Sequence, residues 1–122
     1  MTGRRYRAIF ESRNHMRTLV AVAETGSMTE AARILDTTQP AVSRVIASFE
    51  ESVGAELFRR RGPGPRSLRL TTIGIIVAHQ ARTILREMDE AERAIYEARD
   101  IFDELDRKDE RALASLDRGG AR

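Results

Sequence analysis

The stretch from Glu24 to Gly54 constrains this chain more than any other, because it reads as two helices joined by a tight turn. Gly26 is placed to stop a preceding helix, since glycine tolerates the left-handed cap conformation. Ser27 opens the next helix, and Ser27 with Glu30 has the S-x-x-E spacing of a capping box, in which each side chain satisfies the other residue's backbone N–H. Ala31, Ala32 and Leu35 come next at helical spacing, and the paired alanines let another helix approach closely. Asp36-Thr37-Thr38 is a short polar break, with Thr38 a good N-cap for a second helix. Gln39 and Pro40 then fall in a first turn, where proline's missing N–H costs nothing. Val42, Val45 or Ile46, Phe49 and Val53 make an apolar stripe, and Gly54 ends the helix.

A short helix, a brief turn and a longer helix form a helix-turn-helix arrangement. The second helix of such a unit enters the DNA major groove with its N-terminal residues at the base edges. Here those residues are Thr38, Gln39, Pro40, Ser43 and Arg44. They are donors and acceptors suited to reading bases, with a proline face for a thymine methyl. The competing reading is an ordinary helical hairpin with a polar outer face.

The run AVAETGSMTEAARIL, followed by TTQPAVSR and later by VGAELF, resembles the N-terminal DNA-binding domain of LysR-type transcriptional regulators. The resemblance spans roughly residues 14–100, most of the chain. Its specific parts are A-x-x-G-S near the first turn, AA-x-x-L, QPA-x-S, a late glutamate and G-x-x-LF. Met28 stands where that family usually has Phe, Thr38 where it has Ser, and Phe49 where it has Leu. The resemblance implies that Gln39 and Pro40 touch bases, Ser43 holds a phosphate, and Arg44 meets a base or a phosphate. Thr37 and Thr38, at the helix start, are expected to bind backbone phosphate through hydroxyl and amide.

Upstream, Met16, Leu19, Val20 and Ala23 are spaced for one buried face of a helix from about Arg13 to Glu24. With Ala32, Leu35, Val42, Ile46, Phe49, Leu57 and Phe58 they make a small core. A unit of this size buries little surface alone, so it needs the helix downstream of it. Residues 55–70, AELFRRRGPGPRSLRL, read as a β-hairpin wing. Leu68 and Leu70 alternate with Ser67 and Arg69 as in a half-buried strand, and the GPGP of residues 62–65 is a turn. Arg59, Arg60, Arg61, Arg66 and Arg69 lie here, and from Leu57 to Leu70 there is no acid. Arginines on an open tip suit a narrow minor groove, where the negative potential is enhanced; Arg60, Arg61 and Arg66 are the candidate contacts. A solvated basic loop is the alternative. The wing is longer than is usual in the LysR family, which leaves open which arginine sits at its tip.

Leu70, Thr71 and Gly74 match the L-T-x-x-G of that family, and Thr71 is placed to cap a long helix. Val77, Ala81, Ile84, Met88, Ala91, Ile95, Ala98, Phe102 and Leu105 then recur in alternating steps of four and three. A sustained heptad with charged flanks argues for a coiled coil. A helix roughly 50 Å long exceeds what the small head covers, so a partner helix is the better account. This agrees with the linker helix through which LysR-type regulators dimerise. Past Leu105 the stripe meets Asp109 and weakens, and the glycines Gly119 and Gly120 come near the end.

Charge is unevenly spread, as expected of a chain with one end facing phosphates. Residues 1–70 hold twelve arginines and seven acids, a net of +5, whereas residues 71–122 hold nine basic groups and twelve acids, a net of −3. The absence of cysteine excludes a disulfide framework and thiolate metal sites. His15 and His79 lack metal spacing, Glu50 and Glu51 are adjacent and cannot face each other, and Gly62 and Gly64 are not followed by the Lys-Ser/Thr of a phosphate-binding loop. No catalytic, metal or cofactor site is therefore expected. No apolar run is long enough for a membrane span, and a cytoplasmic location is the plain expectation.

The expected fold is mainly α: a winged helix-turn-helix, with a three-helix core and a two-stranded wing, followed by a long coiled-coil dimerisation helix. Its parts are an N-terminal extension over residues 1–12, the winged head over 13–70, the linker helix over 71–108 and a flexible tail over 109–122. Arg4, Arg5 and Arg7 of the extension belong either to an arm touching phosphates or to a solvated tail. The resemblance implies a two-lobed α/β effector-binding domain beyond the linker helix; no such domain, and so no effector ligand site, is legible in these residues. The expected partners are double-stranded DNA and a second copy of the chain, in a regulator of transcription. The alternative from another class is a coiled-coil interaction module that titrates full-length regulators without binding DNA.

Overall fold

The computed structural model describes residue 10 and residues 12–120, with side chains through residue 117. Apart from Phe10 and Ser12, the expected N-terminal extension lies outside the described residues. The order of elements is α1 (Arg13–Thr25), α2 (Met28–Ile34), α3 (Gln39–Val53), β1 (Phe58–Arg60), β2 (Leu68–Leu70) and α4 (Thr72–Gly120). The chain is mainly helical with one two-stranded antiparallel sheet, the winged helix-turn-helix and long C-terminal helix that the sequence predicts. It divides into two compact units, one through Arg86 and one from Glu87 onward.

Each helix begins and ends on residues whose chemistry demands it. Ser12 Oγ accepts the His15 N–H at 3.2 Å and opens α1. Gly26, at φ 68°, closes α1 by donating its N–H to the Val22 carbonyl at 2.8 Å. Ser27 Oγ then accepts the Glu30 N–H at 3.1 Å and opens α2. Only this half of the expected capping box forms. The Ser27 N–H goes instead to Thr25 Oγ1 at 3.2 Å, which frees the Glu30 carboxylate for other partners. The turn into α3 is made by Asp36, whose φ of 55° is left-handed; a short polar side chain tolerates that conformation better than most. Thr38 Oγ1 accepts the Ala41 N–H at 3.2 Å and caps α3, which ends at Gly54.

The core lies among α1, α2, α3, the start of the wing and the first turns of α4. Met16, Leu19, Val22, Ala31, Leu57, Ala78 and Ala81 have no exposed surface, and Val42, Ile46 and Phe49 are nearly as buried. On α1 the buried positions include Ala21 and Val22, whereas the expected Val20 and Ala23 are only half-buried. The reason is that α2 and α3 both pack against α1, so its covered face is broader than one stripe. Leu35, also expected in the core, is half-buried at the end of α2.

β1 and β2 pair with Phe58 opposite Leu70, Arg59 opposite Arg69 and Arg60 opposite Leu68. The two arginines facing each other would repel, but each has its own acceptors. Arg59 reaches Glu56 at 3.0 Å, and Arg69 donates to the Arg66 and Leu68 carbonyls at 2.9 Å. The wing is anchored at both ends. The Leu57 N–H donates to Glu50 Oε2 at 2.7 Å, and the Leu68 N–H to the Gly26 carbonyl at 3.1 Å.

Thr71 caps α4, its hydroxyl accepting the Gly74 N–H at 3.1 Å and donating to the Glu56 carbonyl at 2.7 Å. Gly74 is buried where the helix backbone meets the strand: a Cβ there would fall on the Leu57 carbonyl oxygen. Val77 and Ala81, expected in a dimer seam, are 8% and 0% exposed within the single chain. They complete the chain's own core, because the first turns of α4 lie on the small head that needed them. The helix also runs to Gly120, through residues expected to form a flexible tail. Ala112, Leu113, Ala114 and Leu116 are good helix formers, and no glycine or proline interrupts them.

Candidate nucleic-acid interface

Turn chemistry alone presents the first turn of α3. The left-handed Asp36 and the Thr38 cap turn the chain so that Thr37, Thr38, Gln39 and Pro40 are all exposed, as is Arg44 one turn on, while Ser43 is half-buried. The Thr37 N–H donates to the Ala32 carbonyl at 2.9 Å. Its amide is thus spent on the turn, and only its hydroxyl remains for a phosphate. This narrows the expectation that Thr37 offers both groups.

The wing approaches the same surface. A cleft of about 490 Å³ is lined by Ser27, Met28, Thr29, Glu30, Gln39, Arg60, Pro65, Arg66 and Leu68. It brings Gln39, at the start of α3, together with two of the expected wing arginines. Arg61 is exposed and outside this lining; its backbone N–H closes the hairpin on the Ser67 carbonyl at 2.7 Å. Arg60 is partly committed: its guanidinium donates to Ser67 Oγ at 2.7 Å and reaches the Gly64 carbonyl at 3.5 Å. Arg60 therefore shapes the tip as well as charging it. Gly62 and Gly64, at φ 81° and 107°, supply the left-handed turns there.

Sequence reasoning missed Glu30 and Arg33 as members of this surface. The Arg33 guanidinium grips the Glu30 carboxylate with Nε at 3.2 Å and Nη2 at 2.6 Å. Arg66 Nη2 stands 3.9 Å from the same carboxylate. The hydrogen bond from Arg33, aided by the positive charges of Arg33 and Arg66, holds the Glu30 carboxyl below its usual range. The E-x-x-R spacing was a legible sign of the helix pair, but nothing in the sequence joined it to Arg66.

The helix stripe beyond the head is open. Ile84 and Met88 are half-buried, Ala91 and Ala98 are exposed, and Ile95 and Phe102 are 66% and 62% exposed. The apolar series continues past Leu105 to Leu113 and Leu116, also exposed. Among the described residues no group of His, Cys, Asp and Glu is arranged to hold a metal ion, and no helix is long and apolar enough to cross a membrane.

This architecture is shared with known proteins. Residues 13–75 match the family described as bacterial regulatory helix-turn-helix protein, lysR family. A small neutral protease regulatory protein of Streptomyces coelicolor is 43% identical over 74 residues, which are 61% of this chain and 22% of that protein. A helix-turn-helix-type transcriptional regulator of Azotobacter vinelandii is 43% identical over 76 residues, 62% of this chain and 51% of the relative. Thus the matched part spans about a fifth to a half of these relatives' length. Among solved structures, Vibrio fischeri DarR in complex with DNA superposes with a TM-score of 0.64 at 27% identity, over 74% of this chain and 30% of that one. The BenM DNA-binding domain in complex with catB site 1 DNA gives 0.60 at 34% identity, over 67% and 85%. With the family's pattern covering the three-helix head, the wing and the start of α4, this chain belongs to the lysR family of bacterial regulatory helix-turn-helix proteins.

Proposed function

We propose that this chain binds double-stranded DNA sequence-specifically as a homodimer, and thereby regulates transcription in the cytoplasm. The observation that carries the reading is the shared cleft: Gln39 of the exposed first turn of α3 and the wing arginines Arg60 and Arg66 line one concave surface. DNA complexes solved for DarR and for the BenM DNA-binding domain support it. In this reading Gln39 and Pro40 meet base edges in the major groove, and Arg44 meets a base or a phosphate. Ser43 and the hydroxyls of Thr37 and Thr38 hold the backbone. Arg60, Arg61 and Arg66 face the adjacent minor groove, where charge and groove width matter more than base-edge hydrogen bonds. Ile84, Met88, Ala91, Ile95, Ala98 and Phe102 meet a second copy of the helix. Genome-wide selection of bound fragments tests both halves together. Enriched sites with two half-sites at fixed spacing are expected, and fragments without a common sequence would overturn sequence specificity.

The exposed apolar series on α4 favours one other reading, an interaction module that titrates full-length regulators without binding DNA. A gel shift at rising salt separates the two. DNA binding that weakens steeply with salt supports the first reading, and no shift at low salt supports the second.

A further inference from the structure

We propose that Glu30 is an affinity-limiting residue of this surface, restraining the wing arginine Arg66 so that it leaves for DNA only where the groove fits the wing. The proposal rests on the DNA-binding reading above. Glu30 is the one acid lining the cleft that holds Gln39, Arg60 and Arg66. A carboxylate at the centre of a surface meant for phosphates weakens binding unless it has a task. Its setting supplies one. The Glu30 side chain is 26% exposed, against 71% for Arg33 and 69% for Arg66, so the carboxylate is recessed behind two outward guanidinium groups.

The two arginines are held differently. Arg33 grips the carboxylate through two of its nitrogens from one turn along the same helix, the closest approach being 2.6 Å. Arg66 comes from the far side of the GPGP tip and approaches only to 3.9 Å. Its carbonyl is already engaged, accepting from Arg69 at 2.9 Å. Only its side chain is left to choose between Glu30 and another anion. An exposed pair of this kind shifts an equilibrium by no more than roughly fivefold. That is strong enough to compete with a loosely placed phosphate and weak enough to yield to a narrow minor groove, where the potential is enhanced. Because the pair is already made in the free protein, Arg66 must break it to reach DNA, so Glu30 subtracts affinity from the fitted complex at least as much as from DNA of any sequence.

The test compares wild type, Glu30→Gln, Arg66→Ala and the double variant. Each is measured against sheared genomic DNA and against the best duplex selected from a random pool, at several salt concentrations. Glu30→Gln keeps the side chain's size, and the Ser27 cap survives because it uses the Glu30 main chain. Glu30→Asp, which keeps the charge but withdraws it from Arg66, replaces the Gln variant should that one melt early. The Gln variant is expected to bind the selected duplex roughly two- to fivefold more tightly, the range that one exposed ion pair can shift. Its affinity for genomic DNA should rise by no more than that, with a salt slope there larger by about 1, so the ratio of the two does not fall. In the Arg66→Ala background the gain on the selected duplex should shrink to under about 1.5-fold. A gain confined to genomic DNA, or a full gain without Arg66, would overturn the proposal and leave Glu30 as general repulsion. No change in either affinity would reduce it to a surface ion pair. If wild-type protein binds neither DNA, the DNA-binding reading itself fails, an outcome visible before any variant is compared.

Discussion

The Arg60 guanidinium donates to the Ser67 hydroxyl at 2.7 Å across the base of the wing tip, and Ser67 is 4% exposed. One residue beyond, the Arg61 N–H closes the last ladder bond on the Ser67 carbonyl. A residue expected to contact DNA is thus also the clasp of the loop that presents the other arginines. Replacing Arg60 with Ala should leave a buried hydroxyl short of a partner and cost about 0.5–1.5 kcal/mol. Amide exchange at Arg61 should quicken while α1 and α3 keep their protection. Unchanged exchange at Arg61 would show that the hairpin closes without the clasp.

Gly74 allows a close backbone approach between α4 and the start of the wing. In Gly74→Ala the new methyl meets the Leu57 carbonyl, and neither backbone segment yields easily: Thr71 ties the helix start to Glu56, and Glu50 holds the Leu57 N–H. A loss of about 1–3 kcal/mol is expected, the usual range for overpacking, although alanine favours helix. A thermal melt decides it, and equal or higher stability would mean that the helix shifts freely on the wing.

Gln39 is exposed on the first turn of α3 and lines the cleft beside Arg66. Gln39→Ala should cost about 1–3 kcal/mol of binding and relax preference at one base pair in each half-site. The check is a binding series over all single-base variants of a selected site. Preference unaltered at every position would remove Gln39 from the base-reading set.

Ile95 and Phe102 are 66% and 62% exposed in the single chain, so replacing both with Glu should not disturb the head's own core. Buried without a partner, each new charge would cost several kcal/mol in a helix seam. Sedimentation should show a dimer for wild type and a monomer for the double variant, with the same unfolding transition for the head. A variant that stays dimeric at micromolar concentration would move the seam elsewhere on the chain.

Much of this fold was legible because it arises from local chemistry. Gly26, Ser27, Thr38, Gly54 and Thr71 end or begin helices where their conformational freedom or hydroxyl chemistry says they should. The pairing of Leu68 and Leu70 with Arg60 and Phe58 obeys the alternation around a GPGP turn. Less legible were contacts between elements. Glu30 reads as half of a capping box, yet its carboxylate faces Arg33 and Arg66, because Thr25 takes the Ser27 N–H first.

The same division runs through the long helix and the site. Periodicity by itself determined that residues 77–105 carry one apolar stripe, since the 3.6-residue turn leaves side chains spaced by three and four no other face. It could not say what covers that stripe. Only the tertiary structure decided that Val77 and Ala81 belong to the chain's own core while Ile95 and Phe102 remain open. That choice depends on where a neighbouring surface stops, which no local pattern encodes. Residue type likewise marked Gln39, Arg60 and Arg66 as candidates for DNA contact. Their meeting in one cleft, with Glu30 between Arg33 and Arg66, was decided by packing, because hydrogen bonds and charges act over a few ångströms of space rather than along the chain.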